Sequence, residues 1–70
     1  MNIYKVVARY GLDTELDSRI CLTEDKAREI AKEWLEDEDC DDVAIYLEKP
    51  DWEIGIFKTY RTIARINKPI

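Results

Sequence analysis

Seventy residues are enough for one domain, 1–70, with a single hydrophobic core. Apolar residues make up 46% of the chain and charged residues 39%, a balance that excludes a disordered protein. The net charge of −5 disfavours direct nucleic-acid binding, and no apolar run reaches the roughly 18 residues of a membrane span. We therefore expect a folded cytoplasmic protein with no signal peptide and no membrane partner.

The first 22 residues predict a β-hairpin. Residues 3–10 alternate and place Tyr4, Val6, Ala8 and Tyr10 on one face, as in a half-buried strand. A turn at 11–14 leads into a second alternating segment, 15–22, whose apolar side carries Leu16, Ile20 and Leu22.

An amphipathic helix is predicted over 23–38. Thr23 can cap its N-terminus, and Glu24 and Asp25 follow in the first turn, where the helix dipole favours acids. Apolar residues recur at helical spacing and form a single stripe for packing on a sheet: Ala27, Ile30, Ala31, Trp34 and Leu35.

A second hairpin is predicted after the helix. Residues 43–49 alternate, residues 50–53 interrupt the pattern, and a strand of thirteen residues returns over 54–66. A strand of this length predicts a bulge or bend, which we place near Gly55.

The elements give an α+β fold with the order ββαββ, a four-stranded mixed sheet with one amphipathic helix packed on one face. This order and these element lengths resemble the small bacterial immunoglobulin-binding domains and other β-grasp-like proteins. The resemblance implies that the first and last strands are central and parallel. It implies no function, because no binding motif of those domains matches here.

Cys21 and Cys40 flank the predicted helix, which is about 24 Å long. The extended residues beside it recover at most about 13 Å, so the two Cα atoms stay farther apart than the roughly 7 Å limit for a disulfide. We expect free thiols in a reducing compartment.

Six acids in seven residues follow the helix: Glu36, Asp37, Glu38, Asp39, Asp41 and Asp42. Acids at a helix C-terminus are unfavourable, so the cluster is a candidate for function. Together with Glu33, it could mimic a phosphate backbone and occupy the basic groove of a nucleic-acid-binding protein. The alternatives are a solvated helix end, or partial neutralisation if the second hairpin sets Arg61 opposite Asp42.

Short acidic chains of this kind resemble accessory proteins of phages and prophages of low-GC bacteria. The resemblance implies a bacterial cytosol, or that of a phage-infected host, and a role as an inhibitor or modulator of a nucleic-acid-binding protein.

A metal site and a catalytic site are both disfavoured. Asp37, Asp39, Asp41 and Glu48 match positions 1, 3, 5 and 12 of a calcium loop, but Asp42 replaces the glycine of position 6 and a strand follows. The chain has no histidine, so neither cysteine has a histidine partner, and no glycine-rich phosphate loop occurs. We predict no enzyme activity, no metal and no cofactor.

Two further surfaces are candidates for protein contact. Trp52, in a hairpin loop between acids, is a possible anchor, although its indole could instead fold back over the sheet. The open sheet face is predicted to carry aliphatic and aromatic residues among basic ones, and it could support a homodimer. This alternative, a structural or assembly protein, gives Tyr46, Phe57 and Ile63 the contact role. The predicted open face comprises Lys5, Val7, Arg9, Ala44, Tyr46, Phe57, Thr59, Arg61, Ile63 and Arg65.

Overall fold

The computed structural model describes residues 2–11, 14–37 and 40–67. Four strands and one helix follow in the order ββαββ, which confirms the predicted α+β class. Their bounds are β1 Ile3–Tyr10, β2 Thr14–Cys21, α1 Glu24–Asp37, β3 Asp42–Asp51 and β4 Ile56–Asn67.

The helix begins where the sequence predicts. The hydroxyl oxygen of Thr23 accepts a hydrogen bond from the Lys26 amide at 3.2 Å, and its carbonyl accepts one from Ala27. The side-chain bond satisfies one of the amides that the first helical turn leaves unpaired, and the carbonyl bond is the first regular hydrogen bond of the helix. The predicted cap is therefore confirmed.

The strand order differs from the β-grasp prediction. The sheet runs β2-β1-β3-β4, and every neighbouring pair is antiparallel. The expected mixed sheet, with central and parallel first and last strands, is wrong. The reason lies in β3, where Val43, Ala44, Ile45 and Leu47 are all buried. A strand that is apolar on both faces belongs in the centre, whereas β4 carries three bases and tolerates an edge.

The helix covers one face of β1 and β3 and the end of β2. The core there combines the helix stripe with both central strands and both cysteines: Val6, Ala8, Cys21, Ala27, Ile30, Ala31, Trp34, Cys40, Val43 and Ile45. Most of β2 lies outside this cover. Its predicted apolar side chains Leu16 and Ile20 are exposed, and Arg19 lies over the ring of Trp34 at 5.7 Å.

Two bulges in β4 change which side chains face the core. Opposite β3, the register skips Ile63 between Ala64 and Thr62, and skips Tyr60 between Arg61 and Thr59. The bulges do not lie near Gly55, which instead forms the hairpin turn with a φ of 75°. As a consequence, Ile63 packs against the core, and its predicted place on the open face is wrong.

Simple alternation places Ile63 and Phe57 on the same face of β4. The bulges instead predict that truncating these two side chains lowers the free energy of unfolding by different amounts. Ile63→Ala should lower the free energy of unfolding by roughly 1–2 kcal/mol, because a partly buried side chain is truncated. In the monomeric chain, Phe57→Ala, at an exposed position, should cost less than about 0.5 kcal/mol. Urea denaturation of both variants measures the difference, and equal costs would contradict the bulged register.

Candidate functional site

The C-terminal half of the helix keeps its negative charge. Its last turn has no basic residue, and Glu33 and Glu36 are exposed with no ion pair within the described ranges. In the N-terminal half, by contrast, Glu24 pairs with Arg28 at 3.0 Å. The predicted site residues Glu38 and Asp39, and the side chain of Asp37, lie outside the described residues.

Asp42 belongs to the fold and not to an exposed patch. It lies opposite Arg9 in the β1–β3 ladder, and its two oxygens accept hydrogen bonds from Nε and Nη2 of that guanidinium at 3.1 and 2.9 Å. Arg65 adds a third contact at 3.9 Å. Arg61 lies opposite Leu47, so the predicted pairing of Arg61 with Asp42 is wrong. The register differs because the turn spans 52–55 and two bulges follow it.

The bond from Arg9 holds the pKa of the Asp42 carboxyl below its usual value. Burial acts in the opposite direction but is the weaker effect, and the charges of Arg9 and Arg65 lower the pKa further. Because the side chain is nearly enclosed, water screens this ion pair less than an exposed one.

Asp41 also has a structural contact. Its side chain accepts a hydrogen bond from the Gly11 amide at 2.6 Å, and its own amide donates to the Arg9 carbonyl at 2.7 Å. Gly11 has a φ of 69°, a backbone conformation that favours glycine. Two of the clustered acids therefore hold the β1–β2 turn and the start of β3 in place.

The calcium-loop spacing does not correspond to a loop. Asp42 to Glu48 is extended strand, which separates Asp41 from Glu48 by roughly 20 Å. Oxygens this far apart cannot bind one calcium ion, whose ligands lie about 2.3–2.6 Å from it. Within the described residues, no group of three or more acids, cysteines or histidines could hold a metal.

The β3–β4 hairpin extends past its neighbours as a two-stranded arm. The ladder between β1 and β3 ends at Ile3 and Glu48, so residues 49–51 pair only with residues 56–58. We call residues 49–60 the hairpin arm. Its turn is closed by a hydrogen bond from the Gly55 amide to the Asp51 carbonyl at 2.8 Å.

The hairpin arm exposes most of its apolar side chains. Trp52 is 86% exposed at the turn, so the indole does not fold back over the sheet. Four further large side chains of the arm are exposed, namely Ile54, Ile56, Phe57 and Tyr60. An apolar cavity of about 160 Å³ lies among Pro50, Trp52, Ile56 and Phe57.

Charged residues along the hairpin arm balance one another. Lys58 pairs with Asp51 at 3.4 Å, and the ammonium of Lys49 lies 3.8 Å from the centre of the Tyr60 ring. With Glu53, the arm has two bases and two acids and is neutral, in a chain of net charge −5.

The open sheet face is more polar than predicted. Val7 and Ala44 are buried, and the shallow cavity above Val7 is lined mainly by polar and charged side chains. Tyr46 accepts a hydrogen bond from Arg65 at 3.5 Å, and Thr59 donates one to Glu48 at 2.7 Å. Three residues were predicted for a sheet-face interface. Phe57 lies on the arm, the Tyr46 hydroxyl is hydrogen-bonded to Arg65, and Ile63 packs against the core.

Cys21 and Cys40 are both buried at the core and are not joined in a disulfide. Burial raises the pKa of the Cys21 thiol despite the nearby charges of Arg19 and Lys26, so the protonated form persists at neutral pH. The Cys40 thiol donates to the Trp34 carbonyl at 3.7 Å. Both cysteines therefore serve as core residues in the described structure.

No helix within the described ranges is both long and apolar enough to cross a membrane. In comparisons with protein families, curated proteins and solved structures, nothing matches this chain. Two surfaces are candidates for function: the hairpin arm, and the acidic end, by which we mean Glu33, Glu36 and residues 37–41.

Sequence reasoning identified Trp52 but missed the exposure of Ile54, Ile56 and Tyr60. The signal was available in element length. The predicted last strand, 54–66, has thirteen residues, and an eight-residue first strand cannot flank a hairpin over that length. Part of that hairpin must then project without a neighbouring strand.

Asp42→Asn should lower the free energy of unfolding at pH 7 by roughly 2–4 kcal/mol, because Arg9 loses a buried anionic partner. The folded-state pKa of Asp42 is lowered, so its contribution is present above the unfolded-state pKa and is lost as the pH falls through the folded value. The difference in the free energy of unfolding between the native chain and the Asp42→Asn variant should therefore become smaller below about pH 4.

Urea denaturation at pH 7 and at acid pH measures this change. Glu24→Gln is the control, since its exposed pair with Arg28 should contribute only about 0.5 kcal/mol. A constant difference between native and Asp42→Asn chains at all pH values would show that the ion pair is not responsible.

Proposed function

We propose that this protein is a small, non-enzymatic binding module that acts by occupying the surface of a protein. The exposed hairpin arm carries the proposal. Five large apolar side chains project there without cover from the helix, and exposed apolar patches of this kind mark interaction sites in small proteins.

Trp52 is the proposed anchor of this contact. Tryptophan is enriched among the residues that dominate binding energy, provided that the partner encloses it. The adjoining apolar cavity beside Phe57 and Ile56 gives the partner a concave surface in which to pack. Neighbouring Lys49 and Lys58 supply a polar rim.

A second contact is proposed at the acidic end. Glu33 and Glu36 are exposed and unpaired within the described residues, and the helix dipole makes their charge unfavourable there. Retention of such charge favours a basic partner, such as the groove of a nucleic-acid-binding protein, and is consistent with a phage-type inhibitor. Asp37, Glu38 and Asp39 belong to this proposal, as does Asp41 through its exposed side chain. Asp42 does not, because Arg9 binds it.

The two contacts are separate surfaces. The ten residues of β3 lie between the acidic end and the turn of the arm, a separation of roughly 30 Å. We therefore propose two independent contacts at opposite ends of the molecule.

Trp52→Ala should weaken binding through the arm by roughly 30-fold or more if Trp52 is the anchor. We would measure it by capture with a tagged chain from bacterial cells that also contain the untagged chain, with identification by mass spectrometry. Leu22→Ala is the control, because Leu22 is 72% exposed and lies outside the arm. Identical captured proteins for native and Trp52→Ala chains would exclude the arm as a binding surface.

The double variant Glu33→Lys, Glu36→Lys should lose any basic partner of the acidic end, and the loss should resemble the effect of raising salt on the native chain. Glu15→Lys, Asp17→Lys makes the same change in charge on exposed positions of β2. If nucleic-acid-binding proteins are lost with the first variant but not with the second, the result supports the proposal that the acidic end mimics a phosphate backbone. Equal capture by both variants contradicts it.

A further inference from the structure

We propose that the hairpin arm binds a second copy of this chain, so that two arms pack against each other in a symmetric homodimer. The inference rests on the proposed function in taking the arm as a binding surface, and it names the occupant. The sequence alone suggested self-association through the open sheet face. The present proposal places the contact on the projecting hairpin instead, because Ile63 is not on the open face.

The arm lacks the support that a two-stranded hairpin needs. Beyond the pair Ile3 and Glu48, strands β3 and β4 pair only with each other, and the helix lies over β1, β2 and β3. An isolated two-stranded hairpin is marginal in water, whereas a third strand or a packed layer stabilises it. A second arm supplies that layer.

The exposed apolar area is sufficient for a dimer. The side chains of Trp52, Ile54, Ile56, Phe57 and Tyr60 expose on the order of 600 Å² together, since a large aromatic side chain presents about 150–250 Å². Two such surfaces offer about 1,200 Å² against the roughly 1,000 Å² of total buried area that separates specific interfaces from incidental ones. Because Ile56 and Phe57 are consecutive strand residues on opposite faces, the two arms must enclose both faces of each other to reach it. The flanking polar residues would add to this area.

Charge also favours a second copy at this end. Two chains of net charge −5 repel, but residues 49–60 are neutral, and the acidic end lies about 30 Å away. The acids Asp51 and Glu53 lie at the turn, and the bases Lys49 and Lys58 lie opposite each other in the ladder before it. An antiparallel two-fold arrangement can therefore set the acids of one arm near the bases of the other. A strongly charged partner would find no complementary field here.

The shape of the arm is suited to this packing. Pro50 and Phe57 are opposite each other on one face, and they form the apolar cavity with Trp52 and Ile56. The exposed Ile54 at the turn is available to fill a cavity of this kind on a second arm. The resulting dimer displays two acidic ends pointing away from the contact, which would raise avidity for an extended basic partner.

The test compares two isoleucines of similar exposure. Ile56, in the arm, is 57% exposed, and Ile20, on the edge strand β2, is 54% exposed. We would measure the mass of the full-length native, Ile56→Lys and Ile20→Lys chains by sedimentation equilibrium over a range of concentrations. Circular dichroism checks that each is folded. Trp52→Ala, at the exposed turn, is the second arm variant in case Ile56→Lys does not fold.

The expected result is a native dimer with twice the 8.3 kDa chain mass, dimerisation weakened roughly 30-fold or more by the arm variants, and an unchanged dimer for Ile20→Lys. A native dimer unaffected by both arm variants, or equally weakened by Ile20→Lys, overturns the inference. A native chain that is monomeric at every concentration also overturns it. If Trp52→Ala then still reduces capture of another protein, the proposed function stands without self-association.

Discussion

One short helix has to cover a sheet that is much longer than itself. The fourteen residues of α1 extend about 21 Å, whereas the twelve residues of β4 extend about 40 Å, close to the 42 Å longest dimension of the molecule. The enclosed core is consequently confined to the part of the sheet under the helix. The rest of the second hairpin has no covering layer, and its apolar side chains remain in water.

The acids that follow the helix have two different roles, because some of them bind groups of the fold and others do not. Where the chain leaves the helix and enters β3, two of its acids meet groups that need a partner. Asp42 neutralises Arg9 across the central strand pair, and Asp41 accepts the free amide of Gly11. Glu33 and Glu36, on the helix surface, have no such partner among the described residues. The net negative charge at that end therefore comes from acids that make no ion pair within the described fold.

These two ends give the molecule a simple functional logic. An apolar, electrically neutral hairpin lies at one end, and unpaired acids lie at the other. Under the proposed function, the first would associate with a like-charged copy at little electrostatic cost, and the second would bind a basic surface. A dimer through the arms would leave both acidic ends accessible.

Local signals in the sequence determined the elements. The alternation of Tyr4, Val6 and Ala8, the cap at Thr23 and the apolar stripe through Trp34 each depend on interactions within a few residues, so the strands and helix were predicted nearly to their ends. Burial of both cysteines at opposite helix ends is consistent with the predicted free thiols. The exposure of Trp52 was one of two open alternatives.

Only the tertiary structure decided which strands lie next to each other and which side chains pair across them. β1 pairs with β3 because β3 is apolar on both faces, an advantage that exists only when strands far apart in sequence compete for the central position. The bulges at Tyr60 and Ile63 then reverse which side chains face the core, and the β1–β3 ladder gives Asp42 its partner Arg9. Periodicity cannot encode these outcomes, since each is settled by long-range pairing and by the area that one helix can cover.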